Sequence, residues 1–302
     1  MNSPISRSTL VTQPKPTKQY VRLWLNKAKP VVWLMPFAVV FYLFQLAPML
    51  WVLVNSFIYD EVFGLDNYLE VLDSAFMRQA FGNSLWLSIW SSFIGLSIAA
   101  LLVSSLRKVG GRLRDAVIAF TNMSSNFAGV PLSFAFIIIL GTNGAVTLLL
   151  KQYGLLGDFD LYGQWGLLAI YIYFQIPLAV LLLYPAFDAL NDDWQSAASL
   201  LGANTFQYWC RIVLPVLSPA LLGTFIILVA NAMGAYASVY ALTSGNYNLI
   251  TIRIASLVSG DLFLEPNLAA AISVILMCIL AFITVINQWL ISKSYSAKKG
   301  SK

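Results

Sequence analysis

Six stretches of this sequence are long enough to cross a bilayer and contain no Asp, Glu, Lys or Arg: 31–57, 83–106, 116–140, 165–187, 220–243 and 268–291. A hydrocarbon core takes roughly 20 helical residues to cross, and a charge buried there is costly. The windows occupy about half of the 302 residues, yet all 18 Lys+Arg and all 13 Asp+Glu fall outside them. In lipid every backbone N–H and C=O needs a partner within the protein, so segments of this kind cross as helices. The expected fold is an all-α integral membrane protein with six transmembrane helices. Composition agrees: 59% of residues are hydrophobic and 10% charged, against about 25% charged in soluble domains. A soluble enzyme, a disordered tail and a secreted disulfide scaffold are excluded.

The basic residues give the orientation. Of the 18, only Arg78, Lys151 and Arg253 lie on the side opposite the N-terminus. By the positive-inside rule both termini are cytoplasmic. The net charge of +5 is then a topology signal, and no nucleic-acid partner is expected. Residues 1–30 read as a polar cytoplasmic tail, 31–292 as the six-helix domain and 293–302 as a second cytoplasmic tail. The first apolar run starts at residue 31, is too long for a signal-peptide core and lacks an Ala-x-Ala site, so it reads as a retained span.

The connection 188–217 departs from the positive-inside pattern, because Asp188, Asp192 and Asp193 outnumber Arg211. Local chemistry predicts two short helices there. Asn191 suits an N-cap, Asp192 and Asp193 a first turn, and Gly202 a C-terminal stop. Asn204 can cap a second helix, in which Phe206, Trp209, Cys210 and Val213 fall on one apolar stripe. Pro215 and Pro219 mark entry to the next span.

Within this connection, Ser196-Ala197-Ala198, then Gly202, Ile212, Leu214 and Pro215 resemble the Glu-Ala-Ala (EAA) loop of the membrane subunits of binding-protein-dependent ABC importers. Six positions match at the family spacing, while Ser196 stands where the family has Glu. The resemblance covers residues 31–292. It implies a permease of the bacterial inner membrane whose loop forms a coupling helix docked on an ATP-hydrolysing subunit. It also implies pairing of two permease subunits with two ABC ATPase subunits and a periplasmic solute-binding protein. Independently of it, small Ala197 and Ala198 allow close approach to a partner. The chain has no Gly-x-x-x-x-Gly-Lys-Ser/Thr loop, so ATP is expected to be used by a partner. There is no His, and the two cysteines, Cys210 and Cys278, are far apart. No cofactor or metal is expected on this chain, nor any catalytic residue.

A pathway through charge-free spans has to be built from neutral polar groups and backbone. The candidates are Asn126 and Gly129, with Pro131 beyond, in the third span. Gln175 and Pro177 stand in the fourth, and Asn231, Tyr236 and Ser238 in the fifth. Gly129 and Pro131 can loosen a helix; the polar side chains can equally serve helix–helix hydrogen bonds. The resemblance implies that the third and fifth spans line the pathway, which favours Asn126 and Asn231. The outer connection 58–81 sets Asp60, Glu61, Asp66, Glu70 and Asp73 against Arg78. The last outer connection, 244–267, reads as a re-entrant or interfacial segment that meets the binding protein. The segment 230–260 is most similar to the polyamine (spermidine/putrescine) branch, which implies a polyamine-like solute; ferric iron and phosphonate are the alternatives. A secondary transporter would need ionisable residues in its spans. An integral-membrane enzyme would need a cluster of acid, base, nucleophile or metal ligands. Neither pattern is present.

Overall fold

A computed structural model of the chain describes residues 34–107, 109–154, 160–191, 193–259 and 264–299. The expected tail 1–30, Lys108, Asp192, Gly260 and residues 300–302 lie outside them. The chain divides into two units, Met1–Val52 and Leu53–Lys302. The described part of the first unit is most of helix α1 (Leu34–Asn55). It widens into a π turn at Tyr42–Leu46, two residues before Pro48. Proline has no N–H and its ring crowds the preceding turn, and a π turn makes room for it within a continuing helix.

In the second unit, a two-residue turn with positive φ at Asp60 and Glu61 closes a small hairpin of β1 (Ile58–Tyr59) and β2 (Val62–Phe63), with Ile58 opposite Phe63. Helices α2 (Asp66–Asp73), α3 (Ala75–Leu106), α4 (Arg112–Ser125), α5 (Val130–Leu140), α6 (Ala145–Gln152) and α7 (Gln164–Asp188) follow. Then come α8 (Asp193–Leu200), α9 (Thr205–Met233), α10 (Ala237–Thr243), α11 (Ile250–Ser259) and α12 (Pro266–Lys299). Among the described residues six helical stretches are long and apolar enough to span a membrane: α1, α3, Val130–Gln152, α7, α9 and α12, the last over Pro266–Ile286.

The third and fifth windows need correction. The third, expected as 116–140, is two helices separated at residues 126–129, and the long apolar stretch is Val130–Gln152. Gly129 has φ +76° and ψ −144°, a region open essentially to glycine alone. Pro131 sits in the first turn of the restarted helix, where its missing N–H costs nothing. Pro177 and Pro185 have no such glycine before them, and α7 runs through both. The fifth window, expected from residue 220, starts at Thr205 and stops at Met233, restarting at Ala237. At the C-terminus, part of the expected tail continues α12 to Lys299.

α3 and α7 run along each other, and α9 packs on both. Gly95 makes this possible, since a Cβ there would lie 2.9 Å from Gln175 Cβ. The core is layered along the helices. One apolar cluster contains Leu87, Leu132, Tyr171, Phe174, Ala232 and Val239. Another contains Ala99, Val103, Ala179, Leu183, Val213 and Leu228. Between them in sequence on all three helices lie Ser92, Gln175 and Asn231. Ser92 and Gln175 have no exposed surface at all. The connection after α10 is fixed to α3: the Ile250 N–H donates to Ser84 Oγ at 3.0 Å, and Asn248 Nδ2 donates to the Phe76 carbonyl at 2.9 Å. Within 244–267, expected as a re-entrant or interfacial segment, lies α11, ten residues long and too short to cross. Burial pulls the Arg253 guanidinium below its usual range, and it stacks on Phe76 at 4.7 Å.

Candidate functional site

The breaks in the third and fifth windows face one another. They border a cleft of about 420 Å³ whose lining includes Ala128, Gly129, Phe174, Asn231, Tyr236 and Ser238, with no charged side chain. A break exposes the carbonyls of one helix end and the N–H groups of the next, and inside a membrane each has to be satisfied. Here the Gly129 N–H donates to Ser238 Oγ at 3.0 Å, and Ser133 Oγ donates to the Ser238 carbonyl at 2.7 Å. On the other side the Tyr171 hydroxyl donates to the Ala235 carbonyl at 3.2 Å. Tyr236 is exposed, and its ring lies 5.3 Å from that of Tyr240.

Under the cleft runs the polar layer. Gln175 Nε2 donates to Ser92 Oγ at 3.0 Å and to the Leu228 carbonyl at 2.7 Å. Asn231 Nδ2 reaches Gln175 Oε1 at 3.4 Å. The residues predicted from sequence thus separate, with Ser238 in the cleft lining. Gly129, Asn231 and Tyr236 line the cleft. Gln175 is wholly buried and orients Asn231 from behind. Asn126 is exposed and bonds back to the Asn122 carbonyl at 2.9 Å, ending α4. Sequence reasoning missed Ser133, Tyr171 and Phe174. Ser133 carried a signal: it is the lone hydroxyl in an apolar run, four residues after Gly129.

The connection 188–217 is a folded helical hairpin. Arg107 donates to the Leu190 carbonyl at 2.8 Å, while Arg114 pairs with Asp188 at 2.8 Å and bonds the Tyr184 hydroxyl. Together they fix where the connection leaves α7. α8 ends at Gly202, φ +81°. The Gly202 N–H donates to the Ser199 carbonyl and the Ala203 N–H to the Ala198 carbonyl, both at 3.0 Å, the pairing of a Schellman stop. Asn204 and Gln207 form a reciprocal capping box on the next helix. Both caps fall where the sequence puts them.

The expected apolar stripe does not form as drawn. Phe206 and Cys210 are exposed, whereas Tyr208 and Val213 are buried. A π turn at Trp209–Val213 places residues five apart on one face, so Tyr208, Val213 and then Leu217 face inward. Ala198 is turned into that core, while Ser196 and Ala197 face outward. Ile212 is half-buried, and Leu214 and Pro215 are exposed. At the tip, Leu200 is 89% and Leu201 88% exposed. Ser196 also borders a polar cleft of about 540 Å³ that it shares with Ser104, Arg107, Gln195 and Ser199. Among the described residues no three His, Cys, Asp or Glu cluster as metal ligands would.

This architecture has known counterparts. The ferric transport system permease protein FbpB of Actinobacillus pleuropneumoniae is 24% identical over 266 residues. The match covers 86% of this chain but 38% of that protein, so this chain spans well under half of that relative's length. The spermidine/putrescine transport system permease protein PotB of Haemophilus influenzae is 24% identical over 254 residues, covering 80% of this chain and 87% of PotB. The crystal structure of a bacterial ABC transporter involved in import of the acidic polysaccharide alginate shares the fold. It superposes on 90% of this chain and 99% of its own, with TM-score 0.72 at 19% identity. The family described as binding-protein-dependent transport system inner membrane component matches residues 91–293, both breaks and the hairpin included, and the chain belongs to it.

Proposed function

We propose that the chain is the membrane-spanning permease subunit of an ATP-driven importer of a polyamine-like solute. The single observation that carries this reading is the hairpin tip. Leu200 and Leu201, nearly nine-tenths exposed, stand on a turn held by two caps. Water-exposed leucines on an ordered tip suit insertion into a partner. The partner is an ATPase subunit that docks on this coupling helix, at the Glu-Ala-Ala-like segment of residues 196–202. The distribution of basic residues supports a cytoplasmic position for that face and both termini. A second permease subunit completes the pathway, and a periplasmic binding protein delivers the solute to the opposite face. The cleft between the broken spans is the stretch of pathway this chain supplies.

Three features support a cationic solute. The cleft carries no basic residue. It offers the Phe174 and Tyr236 rings, and aromatic faces attract cations. The connection before α3 is acidic. PotB is a relative in the same range of identity as the ferric protein, which keeps ferric iron as the second reading. The test is ATP-dependent uptake by proteoliposomes holding this chain with its ATPase, companion permease and binding protein. Labelled spermidine and putrescine should accumulate and ferric iron should not. Iron uptake without polyamine uptake would overturn the solute, and uptake independent of ATP would overturn the importer.

A further inference from the structure

We propose that Ser238 is the positioning residue of the cleft, whose hydroxyl and carbonyl link the two restarted half-helices, α5 and α10, into a single gate. The inference rests on the cleft being part of a transport pathway. Its basis is how the breaks are satisfied. Each break is partly closed by its own turn, the Phe127 N–H donating to the Ser124 carbonyl and the Ala235 N–H to the Ala232 carbonyl. Beyond these local bonds, two bonds cross from the start of α5 to residue 238. The Gly129 N–H donates to its hydroxyl, and the Ser133 hydroxyl donates to its carbonyl. Ser238 is 5% and Ser133 0% exposed, so water does not compete for these bonds. The halves before the breaks are held differently. Tyr171 of α7 bonds the Ala235 carbonyl, and Gln175 of α7 bonds the Leu228 carbonyl and Asn231. The helix before each break is thus tied to α7, α9 through Gln175 and α4 through Arg114 to Asp188 and Tyr184, and the restarted helices are tied to each other. Two interruptions, residues 126–129 and 234–236, lie beside the cleft, and Ser238 couples them.

The test uses the full complex in proteoliposomes, with Cys210 and Cys278 replaced by serine and Ala128→Cys as reporter, since Ala128 lines the cleft. Labelling by a membrane-impermeant maleimide reads cleft opening without needing transport. Ser238→Ala deletes the acceptor of a buried N–H and should speed labelling about tenfold, the scale of one lost buried hydrogen bond. Ser238→Thr keeps the hydroxyl and should stay within about twofold of the parent. Ser133→Ala removes the other bond, the one to the Ser238 carbonyl that Ser238→Ala leaves in place, so it should act in the same direction, and the double variant should label faster than either single one. Uptake by Ser238→Ala should fall in maximal rate with KM little changed, while ATP hydrolysis persists uncoupled. Equal labelling in Ser238→Ala and the parent would overturn the clamp, as would equal impairment of the alanine and threonine variants at normal membrane levels. A labelling contrast in a parent complex that takes up no solute would uphold the clamp and sink the importer reading instead.

Discussion

Replacing Leu200 and Leu201 together by serine tests the docking surface at its most exposed point. Their side chains touch little of their own chain, at 89% and 88% exposure, so the fold should lose no more than about 0.5 kcal/mol, as for surface positions generally. If a partner groove buries them, each leucine contributes about 2 kcal/mol of transfer free energy. Losing both costs about 4 kcal/mol, roughly a thousandfold in dissociation constant. Ordering costs on binding take part of the gross gain, but they are paid by parent and variant alike and leave the difference standing. The assay is retention of the ATPase on affinity-tagged permease in detergent, titrated with ATPase. A thermal melt of the permease alone serves as the control. The expected outcome is an unchanged melt with loss of retention. Retention within threefold of the parent, at an unchanged melt, would show that the tip docks nothing and that the hairpin is only a connector.

Gly129→Ala meets nothing closer than Ala237 Cβ at 3.8 Å, so its cost is backbone strain alone, about 1–3 kcal/mol. Uptake should fall with ATPase retention intact; full uptake would mean the break is incidental. Gln175→Leu fills the same space but strands the groups bonded at 3.0 and 2.7 Å. It should lower stability by about 1–3 kcal/mol, read as a lower melting temperature; an unchanged melt would refute the polar layer's contribution. Ser196→Glu adds a carboxylate to the cleft that Arg107 lines and restores the residue of the resembled motif. It should be tolerated and should hold the ATPase at least as well, and weaker retention would refute that placement.

The spans and the hairpin caps were legible because their physics is local. Charge exclusion from lipid marks a window whatever its neighbours are, and Gly202 and Asn204 act on the backbone beside them. The apolar stripe failed for an equally local reason that the pattern hides. The π turn ahead of Pro215 shifts the inward face from Phe206 and Cys210 to Tyr208 and Val213, and a fixed helical period cannot anticipate an inserted residue.

The breaks belong to another class. Gly129 and Pro131 announce that a helix can stop there, but a stop inside a membrane exists only if another segment accepts the freed groups, and for α5 that segment lies more than a hundred residues away at Ser238. The second break carries no proline. Gly234 keeps a helical backbone, φ −87° and ψ −6°, and the interruption becomes stable because Tyr171 takes the Ala235 carbonyl. Gln175 shows the same limit from the opposite side. Its amide in an apolar span announces a polar partner but not which one, and only the packing of α3 against α7 at Gly95 turns it into the buried support for Asn231. The cleft forms at those positions for the same physical reason. A cleft through a charge-free bundle needs backbone that is not helical, and such backbone persists only where hydrogen bonds between distant segments hold it.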